Sequence, residues 1–412
     1  MVSLPQIAQR LMPLAAALSC FGAQAQANQQ SAWSFSGFAT AGLVGTSSDK
    51  AQYVIPGQLR GGDKSWSGEV DSKLGLQLTG RFNPMFSATG QLLTKQNGKG
   101  NWTPELEWAF VKAQLSPGLA LRAGRMGAPL FAVSDFRDVG YANTWLRPPL
   151  DVYGQVPISN FDGADALYQK SLGSTTLSAQ LFGGVAGSHF EGTKVKLKNM
   201  VGFNATAELD GGITLRLGHV QGKLHVYNNT LNGLVGTLRG IPVPSISAVG
   251  NQLAADGKDA SFTGIGLAVD RGQWLANFEY TMRRTDSYVP DTTGWYGTLG
   301  MRHGKFTPYV TVSRLKVDSS NVGALPTAVG VPAIDAALPT LRGGVNLVVA
   351  GQSTEQNTTA FGLRWDAWRN IALKAQYDRV TPKRGDGLFT GAQPGFGGDS
   401  VNVYSLAVDF VF

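Results

Sequence analysis

The charged and aromatic side chains that could act on a solute are most concentrated in one segment, residues 126–160. This segment of thirty-five residues holds four prolines and five aromatic residues. A connection of this length is usually functional or disordered, and its apolar content argues against disorder. We therefore expect it to be buried against another part of the chain. Its charged residues, of both signs, are Asp135, Arg137, Asp138, Arg147 and Asp151.

The rest of the chain offers no residue set for catalysis. Hydrolysis of this kind needs a histidine beside a nucleophile or a carboxylate. The four histidines do not gather with such partners: His303 lies in an expected turn, and His219 and His225 lie near the end of one strand. Neither Gly-x-Ser-x-Gly nor His-Glu-x-x-His occurs. We predict no enzymatic activity, no cofactor and no metal site.

The first 27 residues predict a secretory signal peptide. Arg10 is their only charge, an apolar core covers residues 11–21, and Ala25-Gln26-Ala27 has the small-x-small form of a cleavage site. A membrane anchor needs about 20 apolar residues, roughly twice this core. Lipidation at Cys20, the only cysteine, is the third alternative, but alanine stands where such signals normally have leucine. Removal of residues 1–27 leaves a chain without disulfides.

The elements that position the charged segment are strands, because side-chain polarity alternates with a period of two. In residues 70–82 one face is mainly apolar, and the other carries aspartate, lysine, glutamine, threonine and arginine. The alternation recurs in residues 274–283 and 371–378. The full pattern predicts sixteen strands near 33–43, 69–82, 86–95, 105–115, 119–125, 161–169, 175–183, 200–209, 213–224, 260–270, 274–285, 293–302, 306–316, 355–365, 371–381 and 400–412.

The connections between these strands alternate in length. Tight turns of Gly, Asn, Asp, Ser and Pro follow nearly every even strand. Short turns at one end and long loops at the other are typical of an outer-membrane barrel, and in lipid a sheet must close to pair its backbone groups. We predict an all-β transmembrane antiparallel β-barrel of about 16 strands, forming one domain over residues 28–412. The long connections are 44–68, 126–160, 225–259, 317–354 and 382–399.

The C-terminal strand resembles that of Gram-negative outer-membrane porins. Tyr404, Leu406, Val408, Phe410 and Phe412 share one face, and the chain stops on the last aromatic. The resemblance implies that Tyr404, Phe410 and Phe412 form a signal read by the barrel-assembly machinery. It further implies a homotrimer in the outer membrane of a Gram-negative cell, in contact with outer-membrane lipid and lipopolysaccharide.

The segment 126–160 is also similar to a porin feature. In sixteen-stranded general porins the loop between strands five and six folds into the lumen and narrows it, and this segment has that ordinal position. The resemblance implies a constriction formed by its five charged residues. One difference concerns assembly: the connection 96–104 is short, whereas in trimeric porins it often latches onto a neighbouring subunit.

Charged residues on the polar faces of the strands are candidates for the pore wall. A basic and an acidic face across a constriction would orient dipolar solutes, and an excess of basic groups favours anions. Alternatively, each residue is a solvated part of the wall or one half of an interstrand ion pair. The face of residues 105–115 is ambiguous, so Lys112 and Glu107 are left open. The candidates are Lys73, Arg122, Arg216, Glu279, Arg283, Arg364, Lys374 and Asp378, with Asp71 as a further acid.

The sequence thus predicts a passive diffusion channel for small hydrophilic solutes, with some preference for anions. Its basic charges are dispersed over strands, which does not indicate nucleic-acid binding. Two alternatives remain open: a substrate-specific channel, and an adhesin or structural barrel whose lumen is occluded. The distinction depends on whether residues 126–160 leave an opening.

Overall fold

The computed structural model describes residues 32–352 and 354–412, so the predicted signal peptide lies outside the described residues. All but two of the strands form a closed antiparallel barrel, which confirms the predicted sixteen-stranded fold. The strands are β1 (Trp33–Thr46), β2 (Gln52–Tyr53), β3 (Lys73–Arg81), β4 (Phe86–Lys95), β5 (Glu105–Ser116), β6 (Leu119–Gly127), β7 (Asn160–Leu172), β8 (Thr175–Phe190), β9 (Thr193–Leu209), β10 (Ile213–Tyr227), β11 (Asp256–Arg271), β12 (Trp274–Thr285), β13 (Asp291–Met301), β14 (Phe306–Ser319), β15 (Glu355–Trp368), β16 (Ile371–Arg384), β17 (Phe389–Thr390) and β18 (Val401–Val411).

The barrel closes where the first and last strands meet. β1 pairs with β18 on one side and with β3 on the other. Beyond the end of β18, Phe412 exchanges two backbone hydrogen bonds with Gly37, of 2.9 and 3.0 Å. The Phe412 ring also covers Gly37, where an added Cβ would lie 2.3 Å from the ring. The terminal phenylalanine therefore contributes both backbone and side chain to the closure.

Side chains alternate between the two faces of the wall. Along β18, Tyr404, Leu406 and Phe410 are exposed, whereas Ser405 and Asp409 are buried. Exposed apolar side chains recur on the outer face of every barrel strand from β3 to β7. The barrel thus presents an apolar surface outward and polar groups inward, as a barrel in lipid requires.

The strands β8 and β9 are longer than their sequence pattern indicates. The sequence analysis ends one at 183 and begins the other at 200, but the structure leaves only Glu191 and Gly192 between them. Two irregularities interrupt the period-two pattern, so the pattern does not show that both strands continue. The register shifts between Gly184 and Ala186, and Asn199 adopts a φ of 50°. An irregularity of this kind moves later side chains to the other face.

The connections 225–259 and 317–354, which the sequence analysis treats as long Gly-rich loops, contain helices. After α1 (Leu150–Tyr153), these are α2 (Asn229–Gly240), α3 (Pro244–Leu253) and α4 (Pro332–Gln352). Asn228 caps α2 by accepting a hydrogen bond of 3.0 Å from the Leu231 N–H. Among the described residues, no helix is long and apolar enough to cross a membrane.

The three longer helices form a helical cap, α2 to α4, at the loop end of the barrel. Leu238, Leu253 and Leu338 are fully buried in its core. The same apolar cluster includes Leu224 and Val226 from the end of β10. The cap is therefore packed on the barrel rather than free above it.

A second apolar cluster lies on the other side of the loop end. β2 pairs with β17, which brings the first and last long connections together. Tyr53 and Phe389 make an edge-to-face ring contact of 5.8 Å between centroids. Leu150 of α1 belongs to the same cluster. Residues between β6 and β7 are thus packed against the outer loops as well as the wall.

Candidate functional site

Residues 128–159 join β6 to β7, the fifth and sixth strands of the barrel, and we call them the inner segment. Where β6 leads into it, Gly124 has a φ of +130°, and an added Cβ would lie 2.3 Å from the Ala109 carbonyl oxygen. Only glycine fits that position without strain. Next to it, Arg125 makes two hydrogen bonds with Asp162, of 2.7 and 2.8 Å. These residues fix the base of the inner segment.

Aromatic side chains of the inner segment pack on the inward face of the wall. Phe131 stacks on Tyr153 at 4.6 Å and meets Phe262 of β11 edge-on at 5.1 Å. Trp145 meets Tyr296 of β13 edge-on at 5.6 Å and donates a hydrogen bond of 2.8 Å to Thr298. The apolar content that argued against disorder is therefore buried between the segment and the barrel.

Basic residues of the wall bind backbone carbonyl oxygens of the inner segment. Lys374 of β16 donates to the carbonyls of Gly140, Asn143 and Trp145, each at 2.7 Å. The Lys374 ammonium also lies 3.0 Å from an Asp409 carboxylate oxygen. Because its hydrogen bonds are directed at the segment, Lys374 is not a free charge of the lumen.

Three other predicted wall cations act in the same way. Arg364 donates to the carbonyls of Tyr141 and Asn143, at 2.7 and 2.8 Å. Arg283 donates to the Gln155 carbonyl at 2.6 Å, and Arg216 donates to the Pro129 carbonyl at 2.6 Å. The structure thus brings Arg216, Arg283, Arg364 and Lys374 together as anchors of one segment.

Arg147 is a cation of the inner segment, and its partners are acidic residues of the wall. Its guanidinium binds the Asp71 carboxylate with hydrogen bonds of 2.6 and 2.9 Å. It lies 3.3 Å from an Asp378 carboxylate oxygen and donates to Ser405 at 2.6 Å. The ring of Tyr53 lies 5.1 Å from the guanidinium carbon. Arg147 therefore joins the inner segment to the start of β3, to β16 and β18 and to Tyr53 of the first outer loop in one buried cluster.

Two buried carboxylates between the inner segment and the wall differ in how many of their oxygen atoms are hydrogen-bonded. Glu279 of β12 accepts hydrogen bonds from the Ala132 N–H at 2.9 Å and the Tyr153 hydroxyl at 3.0 Å. Asp151 accepts one from the Ser313 hydroxyl at 2.8 Å, but its Oδ1 atom has no partner among the described residues. Burial raises the pKa of Asp151 to about 6.

Among the remaining charges of the inner segment, Asp138 faces β3 and β4. Asp138 lies 3.3 Å from the Lys73 ammonium, 3.0 Å from that of Lys95 and 3.8 Å from the Arg137 guanidinium. Burial acts to raise the pKa of Asp138, but Lys95 and Lys73 outweigh it and hold that pKa well below its usual range. Asp135, on the same stretch, is exposed. Exposed and half-buried charges are therefore found on this side of the segment.

Arg122 of β6 stands apart from the other predicted wall residues. Its guanidinium pairs with the Asp165 carboxylate of β7. Asp165 also accepts a hydrogen bond of 2.7 Å from Gln180 of β8. Of the two residues left open, Lys112 faces inward, since Val111 beside it is exposed on the outer face. Glu107 is buried and accepts a hydrogen bond of 3.1 Å from Asn160.

The sequence analysis does not single out several residues of this site. Lys95 lies inward directly opposite Lys73 in the register of β3 and β4, so strand pairing could have found it. Asp409 follows the alternation of the last strand, although its partners Thr40 and Lys374 are remote in sequence. Tyr53 comes from an outer loop without periodicity, and no sequence signal indicated it.

The described residues contain no group of three or more His, Cys, Asp or Glu side chains that could hold a metal ion. His219 bonds to Thr263 at 2.8 Å, and His225 bonds to Asp256 at 2.7 Å. The sequence analysis expected no such partners, but these contacts place His219 beside a hydroxyl group and His225 beside a carboxylate.

A closed sixteen-stranded barrel with an apolar exterior and charged residues inside defines the class of outer-membrane channel proteins. The chain belongs to the Gram-negative porin family, whose model matches residues 14–411. It is thus an outer-membrane porin, and its family and fold are those of a channel rather than of an enzyme.

Known structures agree with this assignment at the level of fold. The chain is similar to OmpF of Salmonella typhi, solved in complex with daunomycin, at 12% identity and a TM-score of 0.56, covering 92% of this chain and 97% of that one. It is also similar to the anion-selective porin of Comamonas acidovorans, at 14% identity and a TM-score of 0.55, covering 92% and 99%. OmpT of Vibrio cholerae in its trimer form gives 10% identity and a TM-score of 0.50, covering 92% and 99%. No curated protein matches the chain in sequence.

Proposed function

We propose that small hydrophilic solutes diffuse passively between the inner segment and the inward faces of β3 to β6, with a preference for anions. The inner segment is the constriction in this proposal. The single observation that carries it is the placement of Asp138 opposite Lys73 and Lys95, at the edge of the segment where Asp135 is exposed. A passage there would have charged groups on both sides.

The charge balance of this wall supports the anion preference. In the register, Arg81 is opposite Ser87, Ser87 is opposite Lys112, and Lys112 is opposite Arg122. These three cations therefore lie on one row across β3 to β6, and Lys73 and Lys95 lie on a second. The acids near these rows are Asp135, Asp138 and Asp165, together with Asp71 and Asp409, which are paired with Arg147 and Lys374. An excess of cations lining a water-filled passage raises the local concentration of anions.

In this proposal the opposite side of the lumen contributes little to ion selectivity. Arg216, Arg283, Arg364 and Lys374 direct hydrogen bonds to the inner segment, and Arg147 is paired with Asp71 and Asp378. These groups set the position of the segment. The charges nearest to such a passage are then those of β3 to β6 and of residues 135–138.

The test is the reversal potential of single channels in a planar bilayer under a KCl gradient. We expect wild type to favour chloride, Lys73→Gln/Lys95→Gln to shift toward potassium, and Asp138→Asn to shift further toward chloride. Lys50→Gln/Lys64→Gln removes the same charge from an exposed outer loop and serves as the matched control. A shift of equal size in the control would show that surface charge, not this passage, decides selectivity.

The occluded barrel remains a second candidate, because apolar clusters flank both sides of the loop end. Deletion of residues 135–151 separates the candidates. If the intact protein conducts and the deletion raises conductance, the segment is a constriction. If only the deletion conducts, the segment is a plug, and an adhesin or structural role takes precedence. Saturable block by one solute class would indicate a substrate-specific channel.

We further propose a homotrimer, after export and removal of residues 1–27. The connection 96–104 is tied to its own chain: Gln96 accepts from the N–H groups of Leu59 and Arg60, and Gly98 bridges to Phe190. A trimer would then rest on contacts between barrel walls. The mass of the detergent-solubilised particle tests this, and a monomer would contradict it.

A further inference from the structure

Two aromatic side chains, Trp108 and Phe110, face the lumen from β5. Trp108 is opposite the inward Gln91 in the strand register, and Val111, next to Phe110, is exposed on the outer face. Both rings are half-buried, and their centroids are 6.4 Å apart. The inner face of an outer-membrane barrel is typically polar, so partly exposed aromatic surface at this place calls for an explanation.

The two rings differ in their surroundings. Phe110 packs against the apolar cluster that holds the inner segment on the wall, and the guanidinium carbon of Arg122 lies 5.1 Å from its centroid. Trp108 lies at the edge of the inner segment: a Cβ added to Gly127 would be 3.2 Å from an Asp135 carboxylate oxygen and 3.3 Å from the indole nitrogen. The indole is therefore a neighbour of Asp135, at the exposed edge where the passage is proposed.

Positive charge is in excess on the adjoining part of this wall. The cationic groups of Lys73, Lys95 and Arg137 lie 3.3, 3.0 and 3.8 Å from carboxylate oxygens of Asp138, so three cations share one carboxylate. Lys95 is on the same face of β4 as Gln91, four residues nearer the loop end. Four residues of strand correspond to about 13 Å. The aromatic surface and the excess positive charge are thus close together on one wall.

We propose that the passage selects aromatic carboxylates. The planar ring of the solute lies on the Trp108 indole, and its carboxylate points to Lys73 and Lys95, away from the Asp135 carboxylate beside the indole. The lysine side chains cover part of the distance along the strand, so a solute of the size of benzoate contacts both groups. This inference rests on the proposed passage between the inner segment and β3 to β6.

The charge and the ring together favour this class of solute over others. An aliphatic carboxylate gains the charge-assisted contact with the lysines but no contact between aromatic rings. A neutral aromatic solute gains the ring contact without the charge, and an aromatic ammonium ion is repelled by the three cations. Only a solute with both a planar ring and a negative charge uses both parts of the wall.

The test is the block of single-channel chloride current by benzoate and by cyclohexanecarboxylate, which have the same charge and similar size but differ in the aromatic ring. For wild type we expect benzoate to reach half-block at a concentration about threefold lower. Trp108→Leu should abolish this difference, and Trp108→Phe, which keeps a ring, should retain part of it. Trp102→Leu replaces a tryptophan that is 38% exposed in the connection 96–104 and serves as the matched control. Lys73→Gln/Lys95→Gln should raise both half-blocking concentrations together.

The outcomes separate this inference from the function on which it rests. If wild type does not conduct, or favours potassium over chloride, the anion passage is wrong and the inference fails with it. If chloride is favoured but the two carboxylates block equally, or neither blocks, only the inference is overturned. Trp108→Leu should keep the wild-type reversal potential under a KCl gradient, because the charges of the passage are unchanged. Loss of chloride preference in that variant would show that Trp108 supports the passage rather than the ring of a solute.

Discussion

Arg147 of the inner segment and Asp71, near the start of β3, form a two-bond ion pair of 2.6 and 2.9 Å, with both side chains almost completely buried. Asp378 shares the same guanidinium at 3.3 Å. Removal of the cation leaves two carboxylates buried together, which typically costs about 3 to 5 kcal/mol. This pair is therefore the contact on which the position of the inner segment most depends.

We expect Arg147→Met to loosen the inner segment while the barrel stays folded. Single-channel traces should become noisy, and limited proteolysis should cut between residues 128 and 159. Arg60→Met removes an exposed arginine, 59% accessible in its pair with Glu69, and should change neither readout. Quiet traces and an uncut segment in Arg147→Met would contradict the role assigned to this contact.

Gly140 allows the inner segment to approach the barrel seam. An added Cβ would lie 2.1 Å from an Asp409 carboxylate oxygen and 2.6 Å from the Thr40 hydroxyl. Gly140→Ala should therefore displace the segment from β1 and β18 and change the conductance by a factor of about two or more. Gly236→Ala in α2 meets no atom within 4 Å and should leave the conductance unchanged. If both variants conduct equally, the inner segment does not approach the barrel seam at Gly140.

Asp151 predicts a pH dependence of stability. Its pKa is raised from 3.8 to about 6 in the folded protein, so the folded state retains a proton that the unfolded state releases. Stability should then fall as the pH rises from about 4 to 6, by on the order of 3 kcal/mol, and remain level above that. Asp151→Asn should remove this slope and raise the melting temperature at pH 7.

Thermal unfolding in detergent between pH 4 and 8 checks this expectation. Asp399→Asn, an exposed acid in the last outer loop, is the matched control and should keep the wild-type profile. Identical profiles for Asp151→Asn and wild type would mean that the Asp151 carboxyl is not held in its buried, protonated form.

Truncation of a core leucine should open the helical cap while the barrel stays folded. Leu238 is fully buried in the cap, and truncation of a buried leucine to alanine costs about 2 to 5 kcal/mol. For Leu238→Ala, hydrogen exchange should accelerate in α2, α3 and α4 and stay slow in the strands. Leu347→Ala alters a cap residue that is 78% exposed and should exchange as wild type does. Faster exchange throughout the barrel would show that cap and barrel unfold together.

We expect the terminal aromatic residue, Phe412, to be needed for efficient assembly of the barrel. Phe412→Ala removes the ring over Gly37 and should lower the yield of folded protein in the outer membrane severalfold, by slower closure of β1 on β18. Trp368→Ala, an outward aromatic that is 63% exposed, should assemble normally. The heat-dependent electrophoretic shift of membrane extracts measures both, and equal yields would remove Phe412 from the assembly signal.

The sequence by itself determined the strands, their number and the face of most side chains. This information is local, because successive side chains of a strand point to opposite faces whatever lies across the barrel. Lys73, Lys374 and Asp378 were assigned to the inner face for that reason. The period fails where the backbone departs from it, as at Gly184 and Asn199, and it carries no signal for α2, α3 and α4.

Only the tertiary structure decided which inward charges meet each other. Lys374 and Lys73 look alike along their strands, yet Lys374 binds three carbonyls of the inner segment and Lys73 lies against Asp138. Their difference depends on the path of residues 128–159 through the barrel, which is set by contacts between residues hundreds of positions apart. A local pattern contains no information on that path, because it follows from packing and hydrogen bonding across the closed sheet.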